Sequence, residues 1–179
     1  RGVNIPIGLS SFATTRMEKI RDIAGPNAWY QYYPINDPDV QKAMLAEIAA
    51  AGYEVLIVTV DIPTETRRDR DLRVGLSVPP KINLRTLCDV AARPRWALAT
   101  ALAGQPEFVN LLPHVPERGT MADKARALLD LMEGTVTQSM LQEIRDLWPG
   151  KLIVKGIMHP DDAIQALRIG ADGIWVSNH

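Results

Sequence analysis

Hydrophobic residues along the chain fall into two alternating patterns. Short runs of consecutive apolar residues, rich in β-branched and aromatic side chains, alternate with longer segments whose apolar positions recur three or four apart. The runs are "NIPIGLS" (4–10), "WYQYY" (29–33), "EVLIVTVD" (54–61), "KLIVKG" (151–156) and "GIWVS" (173–177), and each reads as a strand. Between them the spacing predicts a helix from Thr15 to Ala24, with Thr14 or Thr15 as N-cap and Gly25-Pro26 as the stop. A second helix starts at Pro38 under an Asp37 cap and ends at Gly52, with Val40, Met44, Ile48 and Ala51 along one face. Thr137 caps a helix running toward Trp148, and the last helix opens at His159-Pro160 and closes at Gly170.

The strands are apolar almost throughout, which predicts a parallel sheet covered on both faces. Strand and helix units following one another at this spacing indicate an α/β fold, a (β/α)8 TIM barrel, of which about five of the eight strands are present. Residues 62–136 are too many for one crossover helix. They read as an insertion region within a partial barrel spanning 1–179, containing the helical stretches "INLRTLCDVAARPRWALATALAG" and "KARALLDLMEG".

Composition narrows the function classes. With 179 residues, 46% of them hydrophobic, the chain can bury one substantial core. Twenty basic and 21 acidic residues are interleaved, for a net charge of -1, so no nucleic-acid footprint is expected. The stretch "TRRDRDLR" (66–73) alternates in sign like a solvated loop. No apolar run is long enough to cross a membrane, so a cytoplasmic protein is expected, at most peripheral on the inner face of the cell membrane. The single cysteine, Cys88, excludes an internal disulfide and reads as a buried, inert thiol. No metal-ligand spacing occurs, and no metal is expected.

A barrel of this kind works at the C-terminal ends of its strands. The polar residues there are Ser10, Gln31, Tyr33, Thr59, Asp61, Lys155, Ser177 and His179. Taken singly, each is an ordinary strand-end hydrogen-bonding residue. Together they bring a phenol, an acid, a cation and an imidazole to one rim, which few structural needs would require. His179 is the natural general base, and Asp61 is placed to orient it and stabilise its imidazolium. Tyr33 can donate to a substrate oxygen, Arg68 can clamp a carboxylate, and Lys155 faces an anion or an electron-rich ring. The set suggests proton abstraction from an anionic substrate beside an electron acceptor. A different class is also open, a Schiff-base aldolase or lyase with Lys155 as nucleophile. His114 and His159 read as surface or capping residues, and Trp29, Trp96, Trp148 and Trp175 as packing residues.

Five ordered stretches carry a resemblance: "LSSFATTRMEKI", "WYQYY", "LIVTVDIPTETRRDRDLR", "LIVKGIMHPDDA" and "GADGIWVSNH". Through them the chain resembles the FMN-dependent α-hydroxy acid oxidases and dehydrogenases, the group of glycolate oxidase, lactate oxidase, and the flavin lactate and mandelate dehydrogenases. The resemblance implies FMN as cofactor, with Ser10, Gln31, Thr59 and Lys155 contacting the flavin, Lys155 stabilising its reduced form, and Ser177 beside it. It implies that Tyr33, Arg68 and His179 face the substrate, that Asp61 pairs with His179, and that Phe12 lines the pocket. The implied reaction turns a small L-2-hydroxy acid into a 2-keto acid and passes electrons to oxygen, a quinone or a cytochrome. A homotetrameric parent is implied as well. The segment 94–113 resembles the lactate and mandelate dehydrogenase branch, some members of which attach to membranes there. Family members continue past the histidine with Gly-Gly-Arg and two further strands, and begin with an earlier strand and a substrate tyrosine. The expectation is therefore a portion of a larger enzyme, with an inactive fragment as the alternative reading.

Overall fold

The structure, a computed structural model, describes residues 4–62, 83–104, 107–115, 121–132 and 135–178. Five strands, β1 (Ile7–Ser10), β2 (Ala28–Tyr32), β3 (Val55–Thr59), β4 (Lys151–Lys155) and β5 (Gly173–Trp175), form one sheet in the order β1-β2-β3-β4-β5. Every pair is parallel. Each strand lies beside its predecessor, as in a β/α barrel wall. Helices α1 (Met17–Ala24), α2 (Pro38–Ala50), α6 (Gln138–Leu147) and α7 (Pro160–Ile169) belong to the repeating units. Between β3 and α6 stand α3 (Leu84–Ala91), α4 (Pro94–Ala103), a 3-10 turn at Leu112–His114, and α5 (Met121–Met132).

Local chemistry sets the helix ends. The Asp37 carboxylate accepts from the Asp39 and Val40 amides, Pro38 needs no donor there, and Asp39 complements the dipole of α2. Thr137 caps α6 through Met140 N. His159 caps α7 through its ring, Nδ1 accepting from Asp161 N at 3.2 Å. Gly170 ends α7 in the left-handed conformation, φ 93°. The N-terminus of α1 differs from the expectation. The helix begins two residues later than Thr15, and Arg16 at the cap position makes no side-chain bond. Asn110, far away in sequence, accepts from Met17 N instead.

One face of the sheet packs on helices. Ala28, Tyr30 and Tyr32 of β2, Leu56 and Val58 of β3, and Leu152 of β4 join Met44, Leu45 and Ile48 of α2 and Ile144 of α6 in a continuous core. A fully buried aliphatic side chain of this kind stabilises the fold by about 1.5–3 kcal/mol. Coverage of both faces holds only for the middle of the sheet. In β5, Ile174 and Trp175 are exposed, as is Ile7 in β1. The outermost strands have one neighbour each among the described residues.

Three further expectations are corrected. Cys88 is exposed, since α3 turns it away from any core. Trp96 and Trp175 are exposed, whereas Trp148 is buried with its indole donating to Lys151 O. The His114 ring is largely covered, 8% exposed, because the 3-10 turn sets it against α2, where Nε2 meets the Glu47 carboxylate at 3.2 Å.

Candidate active site

Strand register alone places most of the site. Ser10 is opposite Gln31, Gln31 opposite Ile57, Thr59 opposite Lys155, and Lys155 opposite Trp175. Side chains two apart on a strand share a face, so Ser10, Gln31, Thr59 and Lys155 line the face opposite the core at the C-terminal ends. Gly8 lies on the same face, and a Cβ there would meet only Ile57 Cδ1, at 3.9 Å.

Hydrogen bonds join these residues into two clusters. Gln31 Nε2 donates to Thr59 Oγ1 at 3.0 Å and to the Tyr33 hydroxyl at 3.2 Å. Ser10 Oγ accepts from Phe12 N at 3.2 Å, fixing the turn after β1. Asp61 Oδ2 is the centre of the second cluster, receiving Lys155 Nζ at 3.3 Å and Ser177 Oγ at 3.2 Å. The lysine and aspartate side chains are only 13% and 8% exposed, so this pair is less screened by water and salt than a surface ion pair. The clusters touch electrostatically. Burial raises the pKa of Tyr33, the Asp61 charge raises it further, and a hydrogen bond with Ser10 opposes them. The phenol therefore keeps its proton at neutral pH and stays a donor.

Seven of the residues singled out in the sequence are thus together: Ser10, Gln31, Tyr33, Thr59, Asp61, Lys155 and Ser177. Arg68 and His179 lie outside the described residues. The pairing of Asp61 with Lys155 and Ser177 was not anticipated.

Sequence reasoning also missed Gly156. It follows Lys155 with φ 109°, and a Cβ there would lie 2.6–2.8 Å from Asp61 Cβ, Cγ and N. A glycine is required for β3 and β4 to end this close together, and a glycine directly after the strand lysine was the available signal. Backbone bonds complete the junction, Val60 N to Lys155 O at 2.9 Å and Gly156 N to Trp175 O at 3.0 Å. A separate open cleft of about 710 Å³, bordered by Asn36, Asp37, His114 and Leu131, includes none of the strand-end set.

A parallel β/α sheet with an amide, hydroxyls, a phenol and a shielded lysine–aspartate pair at one rim is a candidate site of the barrel type. Comparison with known proteins supplies the particular group. The profile of the FMN-dependent dehydrogenases matches residues 1–179. A Mycobacterium tuberculosis protein provisionally named an L-lactate dehydrogenase is 39% identical over 98% of the chain, which covers 41% of that protein. The L-lactate dehydrogenase of Allorhizobium ampelinum is 35% identical over 98% of the chain and 46% of its own length. Among solved structures, the monotopic membrane protein (S)-mandelate dehydrogenase superposes over 98% of the chain and 46% of its own, with TM-score 0.85 and 30% identity. The chain belongs to the FMN-dependent dehydrogenase family, whose cofactor is FMN. It spans less than half the length of these relatives.

Proposed function

We propose that the protein carrying this chain oxidises a small L-2-hydroxy acid, of the lactate, mandelate or glycolate type, to the 2-keto acid. The observation that carries the reading is the shared face holding Ser10, Gln31, Thr59 and Lys155, with Tyr33, Asp61 and Ser177 joined to it. Its donor set, an amide, hydroxyls and an ammonium, suits a flat heterocycle edged with carbonyl and ring-nitrogen acceptors. FMN fits that set and, when bound, supplies a two-electron acceptor.

The protein's own residues have separate tasks. Gln31, held by Thr59, presents its amide from the sheet. Lys155 brings positive charge to the face where electrons arrive, and Asp61 fixes its position. Tyr33, kept protonated by burial, donates to a substrate oxygen. Arg68 clamps the substrate carboxylate, and the His179 imidazole accepts a proton from the substrate while the Asp61 charge stabilises the resulting cation. Membership of the FMN-dependent dehydrogenase family favours this reading over the aldolase alternative for Lys155.

The reading includes a membrane-facing surface. Along α4 no residue is buried, and Trp96, Leu98 and Leu102 are exposed beside Leu84 and Leu87 of α3. No helix of the described residues is long and apolar enough to cross a membrane. An exposed apolar patch of this kind suits contact with a bilayer surface.

FMN titration of the complete apoprotein, followed by quenching of flavin fluorescence, tests the reading. Saturable binding that weakens in Lys155→Met and Thr59→Val, with turnover of L-lactate, glycolate or (S)-mandelate in the wild type, supports it. Failure of the wild type to bind FMN overturns it.

A further inference from the structure

The segment between β3 and α5 packs against the turn after β1 and the start of α1 through two side chains. Asn110 is 4% exposed; its Oδ1 accepts from Met17 N at 3.0 Å and its Nδ2 donates to Thr15 O at 3.0 Å. One amide thus satisfies both a donor and an acceptor at the start of α1, where neither Thr14 nor Thr15 caps the helix. Two residues earlier, the Phe108 ring meets Phe12 edge-on at 5.4 Å between centroids. Phe12 in turn meets Tyr33 edge-on at 5.2 Å. The Phe108 carbonyl accepts from the Leu111 and Leu112 amides at 2.9 and 3.0 Å, which holds the ring at the head of a turn anchored by Asn110.

Phe12 therefore touches both a ring of the site and a ring of the inserted segment. The turn after β1 fixes its backbone through Ser10 Oγ. Its ring meets the two partners at interplanar angles of 67° and 84°, edge-on geometries in which each pair is favourable beyond simple area burial. If the Phe108 wall is removed, the Phe12 ring has somewhere to swing away from Tyr33.

We propose that Phe108, anchored by Asn110, is a specificity-determining positioning residue. It sets how far Phe12 projects beside Tyr33, and thereby the size of 2-hydroxy acid side chain that fits there. The inference rests on the reading that Tyr33 faces the substrate.

The test uses the complete gene product, loaded with FMN, and compares kcat/KM for (S)-mandelate with that for L-lactate. In Phe108→Ala the mandelate-to-lactate ratio is expected to rise about tenfold or more, mainly through KM for mandelate, since a cavity of a few methylenes discriminates by that order. Phe108→Leu, which refills part of the space and protects folding, is expected to give a smaller rise in the same direction. Asn110→Ala, which frees the anchor without touching a ring, shifts the ratio the same way. A ratio within twofold of wild type in flavin-loaded Phe108→Ala or Phe108→Leu overturns the proposal. So does an equal fall in kcat/KM for both acids, the signature of a merely structural role. A wild-type enzyme that binds FMN yet oxidises none of L-lactate, (S)-mandelate and glycolate refutes the underlying substrate reading, an outcome separable from those two.

Discussion

Gly156→Ala probes the junction that holds Lys155 beside Asp61. The residue has φ 109°, where an L side chain is strained by about 1–3 kcal/mol. The new methyl carbon would stand 2.6 Å from Asp61 Cβ, 2.7 Å from Cγ and 2.8 Å from its backbone nitrogen. Carbon atoms in good contact are about 3.5–4.0 Å apart, so β3 and β4 must separate, an overpacking cost of about 1–3 kcal/mol. Reduced freedom of the unfolded alanine chain returns about 0.4–1 kcal/mol. The net expectation is a loss of about 1–5.6 kcal/mol, with weaker FMN binding because Lys155 and Asp61 move apart. Gly8→Ala is the internal control. It lies on the same face at an ordinary φ, and its nearest neighbour would be 3.9 Å away, so the change is expected to be neutral or stabilising by up to about 1 kcal/mol. Urea unfolding of the complete apoproteins measures both. A Gly156→Ala variant as stable as Gly8→Ala would refute the reasoning.

Three other outcomes follow from the same structure. Burial pushes Tyr30 and Tyr53 up to about 12 from an ordinary 10.0, so stability is fully present below pH 10. Above pH 10 the unfolded chain gives up these protons first, and a urea midpoint measured at rising pH should fall toward pH 12. The Tyr30 hydroxyl has no partner of hydrogen-bond geometry among the described residues, and Tyr30→Phe should make that fall shallower. Asp37→Ala removes both bonds to the α2 N-terminus and should cost about 1 kcal/mol by the same unfolding assay. Leu98→Glu with Leu102→Glu should reduce co-sedimentation of the protein with anionic liposomes while leaving lactate turnover in solution unchanged; undiminished binding would remove α4 from the membrane-facing surface.

The repeating units were legible because their signals are local. The β-branched runs gave β3 and β4, and the Asp37-Pro38, Thr137 and Gly170 punctuation set helix ends within a residue or so. Most of the site was legible for a related reason: in a parallel sheet, polar residues after buried runs must gather at one rim. Signals that act across the chain were not legible. Asn110 caps α1 from more than 90 residues away, and no pattern near Thr15 announces it. Lys155, Asp61 and Ser177 each come from a different strand end, so their meeting at one carboxylate depends on the Gly156 crossing. Cys88 and Trp96 were misread because hydrophobic character usually means burial. In α3 and α4 it does not, and that exposed surface is itself the feature of interest.

The most direct test is the visible absorption spectrum of the purified complete gene product, before and after anaerobic addition of L-lactate, glycolate or (S)-mandelate. The account predicts flavin bands at one FMN per chain, bleached by at least one of these acids. A protein that carries FMN but keeps its oxidised spectrum with every acid, or that cannot be loaded with FMN, would contradict it.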